Sequence, residues 1–215
     1  MDLIIFDLDG TLIDSRQDIA TAVNELLSAM GRAPLPPERI FRFIGNGVRR
    51  LLERSLGESS TETEIDEALE RFMPLYRHHL LDTTRPYPGV IEALEALRPG
   101  RGLAVLTNKP TQESLVVLEG LGLRGYFCEV HGGDAFPHRK PHRIGVDTLI
   151  DRAGARRDRT LMVGDSRVDF ETARNAGIRV ALVTYGIGAA ELEALTPDYL
   201  IDDLRMLIPI AAGAP

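Results

Sequence analysis

The chain has 215 residues, 44% of them hydrophobic and 27% charged, with a formal net charge of -7. That length holds one full core, or a medium core with a smaller domain inserted, and the composition excludes a disordered chain. The acidic balance excludes broad binding to nucleic acid or anionic membranes, which depends on basic groups meeting phosphate, and no apolar run is long enough to cross a bilayer.

Leu3 to Phe6 is a short apolar run that passes directly into Asp7-Leu8-Asp9-Gly10-Thr11-Leu12, the pattern of a buried strand entering a functional loop. A strand this close to Met1 leaves no room for a signal peptide, so a cytoplasmic location is expected. From about Ser15 to Asp82 the apolar residues recur at helical spacing and no strand pattern occurs. Ile19, Val23, Leu26, Leu27 and Met30 form one stripe, opened by Ser15 with Asp18 three residues on, a local capping pattern. Ile40 to Leu56 and Ile65 to Leu81 read as further helices, separated by Gly57-Glu58-Ser59-Ser60. Thr83 to Gly89, carrying Pro86 and Pro88, returns the chain to the sheet.

Beyond it, helical patterns at Val90 to Leu97, Leu115 to Leu121, Ile144 to Leu149 and Val168 to Ala176 alternate with strand patterns at Leu103 to Leu106, Thr160 to Val163 and Val180 to Val183. Such alternation predicts an α/β fold: a Rossmann-like parallel sheet covered by helices, with chemistry at the carboxyl ends of its strands. Residues 1–14 and 83–215 would form this core, and 15–82 an inserted all-helical cap. Cys128, the only cysteine, excludes an internal disulfide and reads as a small buried residue. The tail from Ile208 to Pro215 is compatible with either a docked or a frayed end.

Asp7 and Asp9 stand two apart at a strand end, where extended geometry aims both carboxylates the same way. At ~4 Å and an effective dielectric of ~20 their repulsion is of order 4 kcal/mol, enough to force protonation of one or recruitment of a cation. A bare pair of this kind is also what a solvated turn looks like; the full string after a buried strand is far more specific. That string resembles the first motif, DxDxT, of the haloacid dehalogenase superfamily, and three further segments follow in that family's order. The resemblance implies a nucleophile at Asp7 and a general acid/base at Asp9. The second acid is absent from true dehalogenases, so its presence implies phosphoryl transfer.

Thr107 fits the family's second motif, a hydroxyl that binds a phosphoryl oxygen, with Asn108 beside it as a further substrate contact; turn chemistry also explains a Thr-Asn pair. The adjoining Lys109 reads as solvent-facing and outside catalysis. Lys140 fits the third motif, a lysine that offsets the charge of the nucleophile and the phosphoryl group. Its surroundings, Gly132-Gly133-Asp134 through Lys140-Pro141-His142, are similar to the corresponding loop of phosphoglycolate phosphatases, although Arg143 stands where those relatives commonly carry a second proline. Asp165 and Asp169 fit the fourth motif, which supplies carboxylates to Mg2+. By resemblance Asp165 binds the ion directly, Asp169 directly or through water, and Asp7 and the Asp9 backbone carbonyl complete the set. A helix N-cap also explains Asp165-Ser166, and the two readings are compatible.

Three carboxylates and a phosphate dianion outweigh the single ammonium of Lys140, so the divalent cation is the main electrostatic requirement. Substrate choice would fall to the cap. There Gly45-Asn46-Gly47 enters a helix and can present N–H groups to an anion, with Arg49 nearby, and the string is similar to the cap loop of bacterial phosphoglycolate phosphatases. The expected protein is thus a Mg2+-dependent phosphatase of a small phosphorylated metabolite, 2-phosphoglycolate first, as a monomer or homodimer. A phosphomutase or pyrophosphatase of the same family is the alternative, and a silent phosphate-binding module the alternative of a different class. A phosphonatase is disfavoured because 15–82 contains no lysine.

Overall fold

The four residues of β1 (Leu3–Phe6) are all apolar and fully buried, so the strand has to be covered on both faces. The computed structural model describes residues 1–213 and meets that demand with a parallel sheet. Along the chain β1 is followed by β2 (Ile13–Asp14), four helices α1 (Arg16–Ala29), α2 (Pro37–Phe41), α3 (Val48–Leu56) and α4 (Glu62–His78), and then β3 (Arg85–Pro86). The remainder alternates: α5 (Val90–Leu97), β4 (Gly102–Leu106), α6 (Thr111–Gly120), β5 (Glu129–His131), α7 (Ile144–Ala153), β6 (Thr160–Gly164), α8 (Arg167–Ala176), β7 (Arg179–Val183), β8 (Tyr199–Ile201) and α9 (Leu207–Ala212).

The sheet runs β5-β4-β1-β6-β7-β8 with every neighbouring pair parallel. Side chains alternate across it. Leu3 and Ile5 pack with Val146 and Leu149 of α7 and Ala173 of α8, whereas Ile4 and Phe6 face the other way, with Val90 and Leu94 of α5 and Leu207 of α9. The second cluster continues without a break into Ile19, Val23, Leu51 and Phe72, so the four-helix segment shares apolar packing with the sheet. The chain passes between that segment and the sheet through two short strands: β2 and β3 pair antiparallel, Ile13 opposite Pro86 and Asp14 opposite Arg85.

Three local expectations are corrected. Ile40 to Leu56 is not one helix but two, α2 and α3, interrupted where Gly45 and Gly47 take positive φ. Ser15 precedes α1 without a side-chain cap, and Asp18 bonds elsewhere; within residues 15–82 a capping box opens α4 instead, between Thr61 and Glu64. Cys128 is exposed, not buried. The edge strands β5 and β8 were not expected, because three residues, partly exposed, carry no strand period. The tail forms α9 with Leu207 and Ala211 buried, while Ala214 and Pro215 lie outside the described residues.

Candidate active site

Register brings the motifs together. Phe6 is opposite Val105 of β4 and Val163 of β6, so Asp7, Thr107 and Asp165 emerge side by side from three neighbouring strand ends. The Asp7 amide still continues the ladder to Val163 O at 2.9 Å, and Thr107 N bonds His131 O at 3.0 Å, which fixes the backbone beneath both side chains. Asp7, Asp165 and Asp169 are buried and each offers a carboxylate oxygen, all within 4.8 Å of one another. Lys140 reaches into this group from the loop before α7, 2.6 Å from Asp169 Oδ1 and 2.8 Å from Asp7 Oδ1, the latter an ion pair without hydrogen-bond alignment.

Asp169 serves as more than a cation ligand. Its Oδ2 accepts from Asp165 N, Ser166 N and Ser166 Oγ, closing a capping box at the start of α8. Cap and cluster therefore coexist in the same residues. Asp165 Oδ2 accepts from Gly188 N at 2.9 Å. Gly10 is required next to it: its φ is +91°, and a Cβ there would come within 2.2 Å of Asp165 Oδ2.

Burial, opposed by Lys140 and reinforced by Asp169, pushes the Asp7 carboxyl up to about 6. Burial and the adjacent Asp169 and Asp7 push Asp165 well above the usual carboxylate range. Both shifts express one condition: three acids in a dry site with one ammonium are short of positive charge. An all-oxygen donor set of this kind fits a hard divalent cation such as Mg2+.

Asp9 points away from that cluster. Its Oδ1 accepts from Ser15 Oγ at 2.5 Å and from Lys109 Nζ at 3.0 Å. Lys109 is thus not solvent-facing, as its sequence context suggested, but 6% exposed, with Nζ also bonded to the Tyr76 hydroxyl of α4. Its ammonium is stabilised by Asp9 and Tyr76 against the cost of burial, which holds its pKa above the ordinary lysine value. The only signal for it in the sequence was scarcity: the chain has just two lysines, and both end in this site.

The two faces of the site enclose a chamber of about 40 Å³. Asp7, Asp9, Thr107, Asn108 and Lys109 line the sheet side, and Ile19, Ile44, Gly45, Gly47, Val48, Leu51, Phe72 and Tyr76 the helical side. A wider cleft of about 410 Å³, bordered by Asn46, Arg42, Asp165 and Gly188, adjoins it at Asp9, Ile44 and Gly45. Asn108 links the two sides, donating from Nδ2 to Gly45 O at 3.1 Å and to Lys140 O at 3.2 Å. Of the expected cap contacts Gly45, Asn46 and Gly47 reach these spaces. Arg49 does not: its guanidinium bonds Glu62 and, at 2.6 Å, Asp66 on the outer surface, with Glu53 Oε1 at 3.5 Å.

The profile of the haloacid dehalogenase-like hydrolases matches residues 4–183. The chain belongs to that family. It is 40% identical over 211 residues to a phosphoglycolate phosphatase of Agrobacterium fabrum, covering 96% of this chain and 91% of that one. It is also 39% identical to phosphoglycolate phosphatase 1 of Pseudomonas aeruginosa, over 99% and 80% of the two chains. Among solved structures, a predicted phosphoglycolate phosphatase from Haemophilus somnus superposes with a TM-score of 0.90 at 33% identity, over 98% and 97% of the two chains. At the positions that resemble the family's motifs the chain carries Asp7 and Asp9, Thr107, Lys140, Asp165 and Asp169. No helix among the described residues is long and apolar enough to cross a membrane.

Proposed function

We propose that this chain is a Mg2+-dependent phosphatase that works through a phosphoaspartate on Asp7, with 2-phosphoglycolate as its substrate. The observation that carries the substrate reading is the small size of the chamber beside Asp9 and Lys109. About 40 Å³ of space for water-sized groups accommodates roughly three of them. A two-carbon leaving group suits that space, whereas a hexose or a nucleoside would have to extend into the wider cleft that adjoins it. The names of the relatives point the same way.

Asp7 and Asp165 would hold the ion together with the Asp9 carbonyl, and Asp169, whose carboxylate already accepts several protein donors, would act through water. When bound, Mg2+ supplies the positive charge that lets an anionic nucleophile approach an anionic phosphate. Thr107 and Lys140 bind the phosphoryl oxygens. An Asp7 oxygen attacks phosphorus in line; the ester P–O bond breaks, and Asp9 gives its proton to the departing alkoxide. Asp9, now a carboxylate, takes a proton from the water that attacks the phosphoaspartate, and the P–O bond to Asp7 breaks to release phosphate. Ser15 and Lys109 orient Asp9 for both half-reactions. Residues 15–82 act as a cap over core segments 1–14 and 83–215, opening about hinges at Asp14 to Arg16 and Thr83 to Pro86 and excluding bulk water when closed.

An initial-rate screen with Mg2+ tests this reading, using phosphoglycolate, hexose phosphates, nucleotides and pyrophosphate. Phosphoglycolate should give the highest kcat/KM, and Asp7→Asn should abolish turnover of every ester, including p-nitrophenyl phosphate. A flat ranking would remove the substrate; turnover surviving Asp7→Asn would remove the mechanism.

A further inference from the structure

Two ammonium groups are buried in this site, and they occupy different places. Lys140 lies between Asp7 and Asp169, on the side where the phosphoryl group would bind. Lys109 lies on the far side of Asp9 and lines the chamber that would receive the leaving group. An ammonium has three N–H donors. Nζ of Lys109 reaches both oxygens of Asp9, at 3.0 and 3.3 Å, and the Tyr76 hydroxyl, so a ligand in the chamber would take over the longer of the two Asp9 contacts.

Among the described residues, no other cation lines that space. The helical residues of its wall are Ile19, Ile44, Val48, Leu51 and Phe72, with the hydroxyl of Tyr76 and two glycines. Arg49, the cap cation expected from the sequence, is bound by Glu62 and Asp66 outside. Asp9 does not depend on Lys109 alone for its orientation, because Ser15 Oγ also holds its Oδ1. The ammonium also lies within reach of a group close to the ester oxygen. The oxygen that takes a proton from Asp9 sits one hydrogen bond from a carboxylate that also accepts from Lys109 Nζ, at 3.0 Å. A carboxylate borne on the carbon next to that oxygen falls beside the ammonium.

We propose that Lys109 is the specificity-determining residue, binding through Nζ a carboxylate carried by the alcohol half of the phosphoester. This rests on the phosphatase reading above and deepens it: the core motifs recognise phosphate, and a core lysine reads the leaving group while the cap supplies apolar walls. The contact is charge-assisted and shielded from water, so its loss is worth ~100-fold in kcat/KM.

The test compares 2-phosphoglycolate with ethyl phosphate, which differs in lacking the carboxylate, on wild type, Lys109→Met and Lys109→Arg. Wild type should prefer the carboxylate ester by ~100-fold. Lys109→Met should lower kcat/KM for both esters, through Asp9, and in addition erase the preference; Lys109→Arg, which keeps the charge, should restore part of it. A preference that survives Lys109→Met within about threefold overturns the assignment of Lys109 and leaves the substrate reading intact. Absence of the preference in wild type overturns both. A second measurement does not need the methionine variant to fold. With two lysines in the chain, 13Cε-lysine labelling gives two resonances, of which the arginine variant identifies Lys109. Glycolate should shift that resonance in wild type and ethanol should not; equal responses would overturn the proposal.

Discussion

Stripping divalent ions from the protein should make it more stable in mild acid than at neutral pH, the reverse of the usual behaviour of a protein rich in paired carboxylates. The cause is Asp7, raised from 3.8 to about 6 by burial. An acid whose pKa is higher in the folded than in the unfolded chain holds its proton preferentially when folded. Its contribution is complete below the unfolded pKa and is lost as pH rises through about 6. Applied to Asp7 alone, this shift makes the folded chain more stable at pH 5 than at pH 7.5 by on the order of 1 kcal/mol, or a few degrees in Tm for a chain of this size. Asp165 shifts in the same direction for the same reason. Carboxylates held below their ordinary range, such as Asp18 and Asp147, titrate outside this window. His79, raised above its ordinary value through Asp82 and Glu25, contributes with the same sign, so the control is Asp7→Asn, which keeps His79. Melting curves in chelator at the two pH values, for wild type and Asp7→Asn, measure the difference. Saturating Mg2+ should remove most of it by keeping the acids ionised. Equal pH dependence in the two chelated proteins would refute the claim that Asp7 is short of positive charge.

Two further outcomes follow from specific contacts. Asp18 of α1 accepts from the amides and hydroxyls of Thr83 and Thr84 where the chain returns from the helices; Asp18→Asn puts an NH2 donor against those donors and should cost about 2 kcal/mol, read as a Tm lowered by ~4–8 °C. Because Arg49 is bound to surface acids, Arg49→Ala should change kcat/KM for phosphoglycolate by less than about twofold, with its effect confined to a stability loss within about 1 kcal/mol.

The central strands and their following loops were legible because burial and chemistry are written in adjacent residues. Four apolar residues followed by Asp7-Leu8-Asp9-Gly10-Thr11 state both where β1 ends and what projects from it. The same holds at β4 and β6, and parallel register then leaves the three loops no option but to meet. Edge strands were illegible for the opposite reason: β5 is partly exposed along its length and three residues long, so no period distinguishes it from a loop. The split between α2 and α3 was foreshadowed by Gly45 and Gly47, but the apolar spacing on either side ran through it.

Side-chain partners across long sequence distances belonged to the tertiary structure. Ser15 and Asp18 have the spacing of a local cap, yet Ser15 turns to Asp9 and Asp18 to Thr83 and Thr84, because the antiparallel β2–β3 neck brings those groups nearer than the first turn's own amides. Lys109 and Arg49 exchanged their expected places for the same reason. A lysine after a strand-end Thr-Asn looks solvated until α4 sets Tyr76 over it, and an arginine beside a glycine turn looks like an anion ligand until Glu62 and Asp66 capture it. The sequence by itself determined the fold class and the identity of the acids, since both depend on residue type and short-range order. Which cation faces the chamber was decided only by helix packing, because a charge takes the partner that folding places within about 3 Å, whatever its distance along the chain.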